Sequence, residues 1–204
     1  MQNFISVAGQ QIQLTAEQME KIVADLGIKI QRKTLAECQP GEIVKIGGFE
    51  MLVLEQRGGE TALILKDIYG EETTFGENNN YVGSNVDNRC QEFEKVLTEC
   101  VGADNIITHH VDLTSNDGLK CYGTTDRKVS SLTADMYRKF VDILDTAKPD
   151  NWWWLATPWS TARHDNDRWV LCVAPSGNVD DDIYYGDIGV RPFCILKSSI
   201  FVSC

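Results

Sequence analysis

Basic residues are in short supply. The chain of 204 residues carries 19 Lys and Arg against 30 Asp and Glu, a net charge of -11. That excess argues against a general polyanion-binding surface, so nucleic acid is not an expected partner. Long apolar runs are missing as well. Nowhere do enough hydrophobic residues follow one another to cross a bilayer, and no membrane insertion is expected. The N-terminus, MQNFISVAGQQIQL, has neither the basic start nor the apolar stretch of a secretory signal, which points to a product that is cytoplasmic as synthesised. The seven cysteines, at 38, 90, 100, 121, 172, 194 and 204, include no C-x-x-C pair. This disfavours a zinc knuckle and a redox motif, and an odd number forbids complete internal pairing. Cys172 and Cys194 sit in the apolar runs VLCVA and PFCIL, where a thiol behaves as a small hydrophobe, whereas Cys204 is the one expected to be exposed and reactive. No Ser-His-Asp arrangement, Gly-rich phosphate loop or paired-carboxylate pattern stands out, so no catalytic residue, metal or cofactor is expected.

What is present is an ordinary globular composition, 43% hydrophobic and 24% charged, in a length that allows one sizeable domain with a small appendage. Leu14 to Gly27 reads as a helix: Thr15 and Gln18 form a capping box, Met19, Ile22, Val23 and Leu26 recur at helical spacing, and Gly27 stops it. Residues 1–34 are therefore expected to be an N-terminal extension, a candidate for oligomerisation or for docking to a larger particle. After the turn at Pro40-Gly41, GEIVKIGG, FEMLVLEQ and TALILKDI read as an antiparallel meander, the last two strands joined at Gly58-Gly59. Glu71 to Gly83 reads as a loop. A helix over Ser84 to Val101 follows, with Val86, Cys90, Phe93 and Leu97 on its apolar side and Gly102 as its stop. Ile106 to Leu113 reads as a strand and Thr114 to Asp126 as irregular. A second main helix is capped by Thr133 and buries Met136, Tyr137, Phe140, Val141 and Leu144. WWWLAT, WVLCVA, Asn178 to Ile183 and VRPFCIL then read as strands. Two main helices against an antiparallel sheet make an α+β layer architecture.

The last quarter of the chain is the most unusual. Between the apolar anchors WWWLATPW and GVRPFCILKSSIFVSC sit two polar tracts, STARHDNDR (Ser160 to Arg168) and NVDDDIYYGDI (Asn178 to Ile188). No core needs such residues, and polar segments carried by a rigid frame are where binding groups usually lie. The order of GEIVKIGGFEMLVLE, a capped helix, DRKVSSLTADMY, WWWLATP, the Ser-Gly turn at 176–177 and GVRPF resembles a C-type-lectin-like domain family of unknown activity, common in bacteria and phages. The likeness covers about Leu35 to the C-terminus. Within it, WWWLATPWST, WVLCVAPSGNV and GVRPFCILKSSIFVS are similar to the variable proteins of diversity-generating retroelements, whose C-terminal region is rewritten by adenine-directed mutagenic reverse transcription. The resemblance implies a C-type-lectin-like α+β domain over 35–204 with its variable region at about 152–204. It implies ligand binding without catalysis, towards a protein or glycan target on a cell surface, in a protein that is cellular or carried in a phage particle.

That resemblance has a chemical corollary. Randomising both adenines of an AAC or AAT codon reaches Asn, Asp, His, Tyr, Ser, Thr, Ala, Arg, Gly, Ile, Val, Leu, Phe, Pro and Cys, and never Lys, Glu, Gln, Met or Trp. Both tracts contain only reachable residues. The expected variable, ligand-contacting residues are Arg163, His164, Asp165, Asn166, Asp167, Arg168, Asn178, Asp180, Asp181, Asp182, Tyr184, Tyr185, Asp187 and Ile188. Tyrosines supply rigid amphipathic area at little entropic cost and the short polar residues adaptable hydrogen bonds, the mixture that antibody paratopes use.

Other constellations have plainer readings. Two of Trp152, Trp153 and Trp154 are expected in the core, since neighbours on a strand alternate faces, rather than as a sugar-stacking platform. The aspartates of the two tracts would bind calcium only by converging from two loops. His109 and His110 point to opposite faces of a strand and cannot chelate one metal together. Arg191 is expected to fork onto carbonyls and lock the last strand. The alternatives from other classes are a lectin-fold oxidase of the formylglycine-generating type, which would need paired active-site thiols, and a fixed-specificity lectin or structural phage protein.

Overall fold

The computed structural model describes residues 3–7, 10–14, 25 and 33–202. At the N-terminus Asn3–Val7 (β1) and Gln10–Leu14 (β2) pair antiparallel. The helix expected over Leu14–Gly27 lies, apart from Leu14 and Asp25, outside the described residues, as does Cys204. The next elements are Lys33–Thr34 (β3), Ile43–Ile46 (β4), Phe49–Arg57 (β5), Glu60–Leu65 (β6) and helix Asn85–Val101 (α1). Then come Ile106–Ile107 (β7), His109–Asp112 (β8), Thr124–Arg127 (β9), Val129–Ser130 (β10) and helix Ala134–Leu144 (α2). The chain ends with Trp153–Pro158 (β11), Trp169–Val173 (β12), Val179–Ile183 (β13), Phe193–Lys197 (β14) and Phe201–Val202 (β15). No helix among the described residues is long and apolar enough to cross a membrane.

Local chemistry sets the helices. Ser84 Oγ accepts from Asp87 N and Thr133 Oγ1 from Met136 N, each satisfying a donor at a helix start. Gly102, at φ 82°, ends α1 in a conformation that side chains disfavour. The meander forms as expected, β4 antiparallel to β5 and β5 to β6. Its neighbour on the far side is β14, which reaches back to pair with β6 and also meets β7 and β10. The strands β11, β12 and β13 make a separate sheet in that order.

Alternate residues of the main sheet belong to two different apolar clusters. Met51, Val53, Leu63, Leu65, Cys194 and Leu196 pack with Val86, Cys90, Phe93 and Leu97 of α1, while Leu52, Leu54, Ala62, Ile64 and Phe193 pack with Tyr137, Phe140 and Leu144 of α2. One helix therefore covers each face. The second sheet is divided in the same way, Trp154, Ala156, Val170 and Cys172 in the first cluster and Trp153, Leu155, Leu171 and Val173 in the second. Arg191, 1% exposed, joins the parts: its Nε donates to Leu65 O at 2.7 Å and its Nη2 to Ala147 O at 2.8 Å, beside the Trp153 ring.

This layout corrects the α+β, C-type-lectin-like expectation. The chain is mostly β, 35% strand against 22% helix, spread over several sheets with no closed barrel among the described residues, and it does not follow a layout of two helices packed on one antiparallel sheet. The physical reason is the double-sided burial of β5, β6 and β14, which sends the helices to opposite faces.

Candidate ligand-binding surface

The two polar tracts meet. Tract one, residues 160–168, leaves β11 and returns into β12, and tract two begins at Asn178, forms β13 and runs on to Ile188. Because β13 pairs with β12, Trp169 lies opposite Ile183 and Val170 opposite Asp182, and the Tyr184 N–H donates to Arg168 O at 2.8 Å. The end of one tract is thus bonded to the middle of the other.

Tract one is held from outside. Asn79 is fully buried; its Nδ2 donates to Ser160 O at 3.0 Å and Trp169 O at 3.1 Å, its backbone N–H donates to Asp167 O, and its Oδ1 accepts from the Tyr122 hydroxyl at 2.6 Å. Asp117 grips the same loop. Its carboxylate accepts from Ser115 Oγ at 2.5 Å and Ser160 Oγ at 2.6 Å, with His164 Nδ1 at 2.9 Å. Those hydrogen bonds, the one from Ser115 foremost, hold its pKa well below the usual carboxylate range. Thr161, 1% exposed, accepts the Arg163 N–H and starts the 3-10 turn Ala162–His164. Asp165 follows at φ 58°, the only non-glycine with positive φ among the described residues. Asp is one of the few side chains that tolerate this region.

Tract two is tied to the loop before α1. Phe75 N donates to Tyr184 O at 2.8 Å, and Thr73 and Ile188 exchange backbone hydrogen bonds. The rings of Tyr184 and Tyr185 meet edge to face with centroids 5.2 Å apart. Tyr184 is half-buried against the core while Tyr185 is 60% exposed. Beside them lies a cleft of about 350 Å³ lined by Glu72, Trp152, Asp180, Asp181, Asp182, Asp187 and Ile188. Burial first, then the neighbouring Asp180 and Asp182, raise the Asp181 pKa above its usual value.

No family model, curated protein or solved structure matches this chain. Its site is therefore read from its own residues. Of the expected contact residues, Arg163, His164, Asp165, Arg168, Asn178, Asp180, Tyr185 and Asp187 are exposed, and Asn166, Asp167, Asp181, Asp182 and Tyr184 are half-buried along the same surface. Ile188 is different: at 5% exposure it belongs to the first core cluster and is part of the frame. Three tryptophans outside the expected set, Trp152, Trp159 and Trp169, are 38 to 40% exposed around the tracts. For Trp159 and Trp169, their position at the two borders of tract one was the available signal.

The remaining alternatives meet specific geometry. Trp153 and Trp154 are buried and Trp152 is not, so the triplet is no stacking platform. His109 is half-buried, its pKa pushed down to about 4 by burial, and His110 faces solvent beside Asp126. Among the described residues no group of three or more His, Cys, Asp or Glu is placed to hold a metal ion. Burial pushes the Cys172 and Cys194 thiols up to about 12, which leaves almost no thiolate at neutral pH for oxidase-type chemistry.

Proposed function

We propose that this chain is a hypervariable ligand-binding protein of a diversity-generating retroelement, whose two tracts form one diversified face directed at a protein or glycan on a cell surface. The observation that carries the reading is the bond between the tracts, Tyr184 N to Arg168 O. Two separate segments, each composed only of residues reachable from Asn codons, make one contiguous surface. Asn79, Phe75 and Thr73 lie outside both tracts and hold them through backbone atoms of the tracts. Rewriting the exposed tract positions therefore changes the contact chemistry while leaving those backbone anchors in place. Exposed Tyr185 supplies rigid contact area and the surrounding Asp, Asn, His and Arg supply polar contacts, a combination suited to changing targets.

Sequencing the 3′ end of the gene across closely related cells or phages tests this. Substitutions concentrated at codons 163–168 and 178–187, confined to adenines of a nearby template copy, are expected. Tracts as constant as WWWLATP would contradict the proposal.

A further inference from the structure

The outer edge of β13 is the open rim of its sheet: β12 pairs with the inner side, and no strand among the described residues pairs with the other. The directions of its backbone groups follow from the register. Tyr184 N donates to Arg168 O and Ala174 N to Asn178 O, so residues 178, 180, 182 and 184 turn towards β12. Val179, Asp181 and Ile183 turn their N–H groups outward, together with the C=O groups of Val179 and Asp181, as the alternation of an antiparallel ladder requires; the Ile183 C=O accepts from the Gly186 N–H at 2.8 Å. Two of these outward N–H groups are occupied by the preceding carboxylate, Asp181 N donating to Asp180 Oδ1 at 2.9 Å and Ile183 N to Asp182 Oδ1 at 2.7 Å.

The side chains of the strand are sorted by face. Asp180 and Asp182 lie opposite Cys172 and Val170 and line the cleft with Trp152 and Glu72. Val179 and Ile183, on the other face, lie opposite Val173 and Trp169, where Val179 and Trp169 are more than a third exposed. The edge thus presents Asp180 and Asp182 on one face and, on the other, Val179 and Ile183 with Asp181 between them. Charge on an edge strand keeps sheets from joining indiscriminately. A second copy of this chain would set Asp against Asp, which destabilises a pairing, whereas opposite charges across strands stabilise it.

We propose that the outer edge of β13 accepts, as an added antiparallel strand, an extended segment of a partner protein with Lys or Arg at alternate positions and apolar residues between them. On docking, Asp180 and Asp182 release the Asp181 and Ile183 N–H groups and take the cations. The freed N–H groups donate to carbonyls of the incoming segment, the mode by which peptides extend a sheet. The apolar residues of the segment cover Val179, Ile183 and Trp169, and Trp152 offers its exposed ring to the cations. This deepens the proposed function by naming the chemistry of the partner, and it rests on that reading only for the use of this face.

The test uses the whole chain and a capped eight-residue peptide alternating Lys and Val, followed by tryptophan fluorescence. Saturable binding is expected, weakened about tenfold or more by the pair Asp180→Asn and Asp182→Asn, whose removed charges each paired with a cation. In an antiparallel pairing the Val residues share the face of Val179, Asp181 and Ile183 and turn their own N–H groups to β13. N-methylation of the Val residues is therefore expected to abolish binding, and N-methylation of the Lys residues to leave it intact. Equal affinity for the two methylated peptides, loss with methylated Lys instead of methylated Val, or no saturation by millimolar peptide would overturn the proposal. None of these outcomes bears on diversification, which is read from gene sequences.

Discussion

Asn79 is the buried residue on which tract one depends, and its substitution should be felt by residues it touches 81 and 90 positions away. Asn79→Ala strands the Ser160 carbonyl and takes a partner from the Tyr122 hydroxyl, while the Trp169 carbonyl keeps the Trp159 N–H, and a loss of about 1–3 kcal/mol is expected in urea denaturation, the usual cost of an orphaned buried polar group. The two tyrosines should separate. Tyr185→Ala should change stability by less than about 0.5 kcal/mol, the usual limit for surface positions, while weakening binding; Tyr184→Ala, half-buried against the core, should cost about 1–3 kcal/mol. At this scale the sequence was informative about composition and silent about anchorage. The triplet Asn78 to Asn80 reads as a loop, and nothing local reveals that its middle member is fully buried. Ile188 was likewise swept into the contact set by its neighbours, although an isoleucine on that segment seals the core.

The helices were legible because their signals are local: the caps Ser84 and Thr133, the stop at Gly102 and the buried series Val86, Cys90, Phe93 and Leu97 all stand as the pattern predicts. Of the sheets only the meander β4–β5–β6 was legible; the rest was not, because β14 pairs with a strand some 130 residues earlier, and no spacing rule reports which of several apolar strands it will join. One element-level tie gives a pH prediction. Asp87 in the first turn of α1 has a fully buried side chain and accepts both Arg127 Nε and Nη2, each at 2.8 Å, and the Gly83 N–H at 2.9 Å. Burial pushes its pKa up, but the Arg127 and Gly83 donors outweigh it and the net shift is downward. A carboxylate depressed in the folded state stabilises above its ordinary value of about 3.9 and loses that contribution as pH falls through the folded value. Urea titrations should therefore be flat near neutrality and fall below about pH 4. Arg127→Ala, which leaves the buried carboxylate uncompensated, should cost about 3–5 kcal/mol at neutral pH. An unchanged midpoint in that variant would show that the pair does not hold α1 to β9.

At the scale of the molecule, periodicity shows which residues are buried but not towards which side. Hence the expectation of two helices on one sheet gave way to a sheet with α1 and α2 on opposite faces. The separation of frame from display positions does not depend on that layout, because VLCVA and VRPFC are core whichever sheet they enter. It is also the central physical claim: stability resides in the buried frame, which includes Thr161 and Ile188 within the polar segments, and recognition in the exposed positions of those segments. The most direct measurement is a display library in which codons 163–168, 178, 180–182, 184, 185, 187 and 188, together with 79 and 161, are each replaced by NNT or NNC and sorted for protease resistance before sequencing. Arg163, His164, Asn178, Asp180, Tyr185 and Asp187 should accept nearly all the encoded residues. Asn79, Thr161 and Ile188 should accept almost none beyond close isosteres. If the exposed tract positions prove as intolerant as those three, the tracts are part of the frame and cannot serve as a rewritable face.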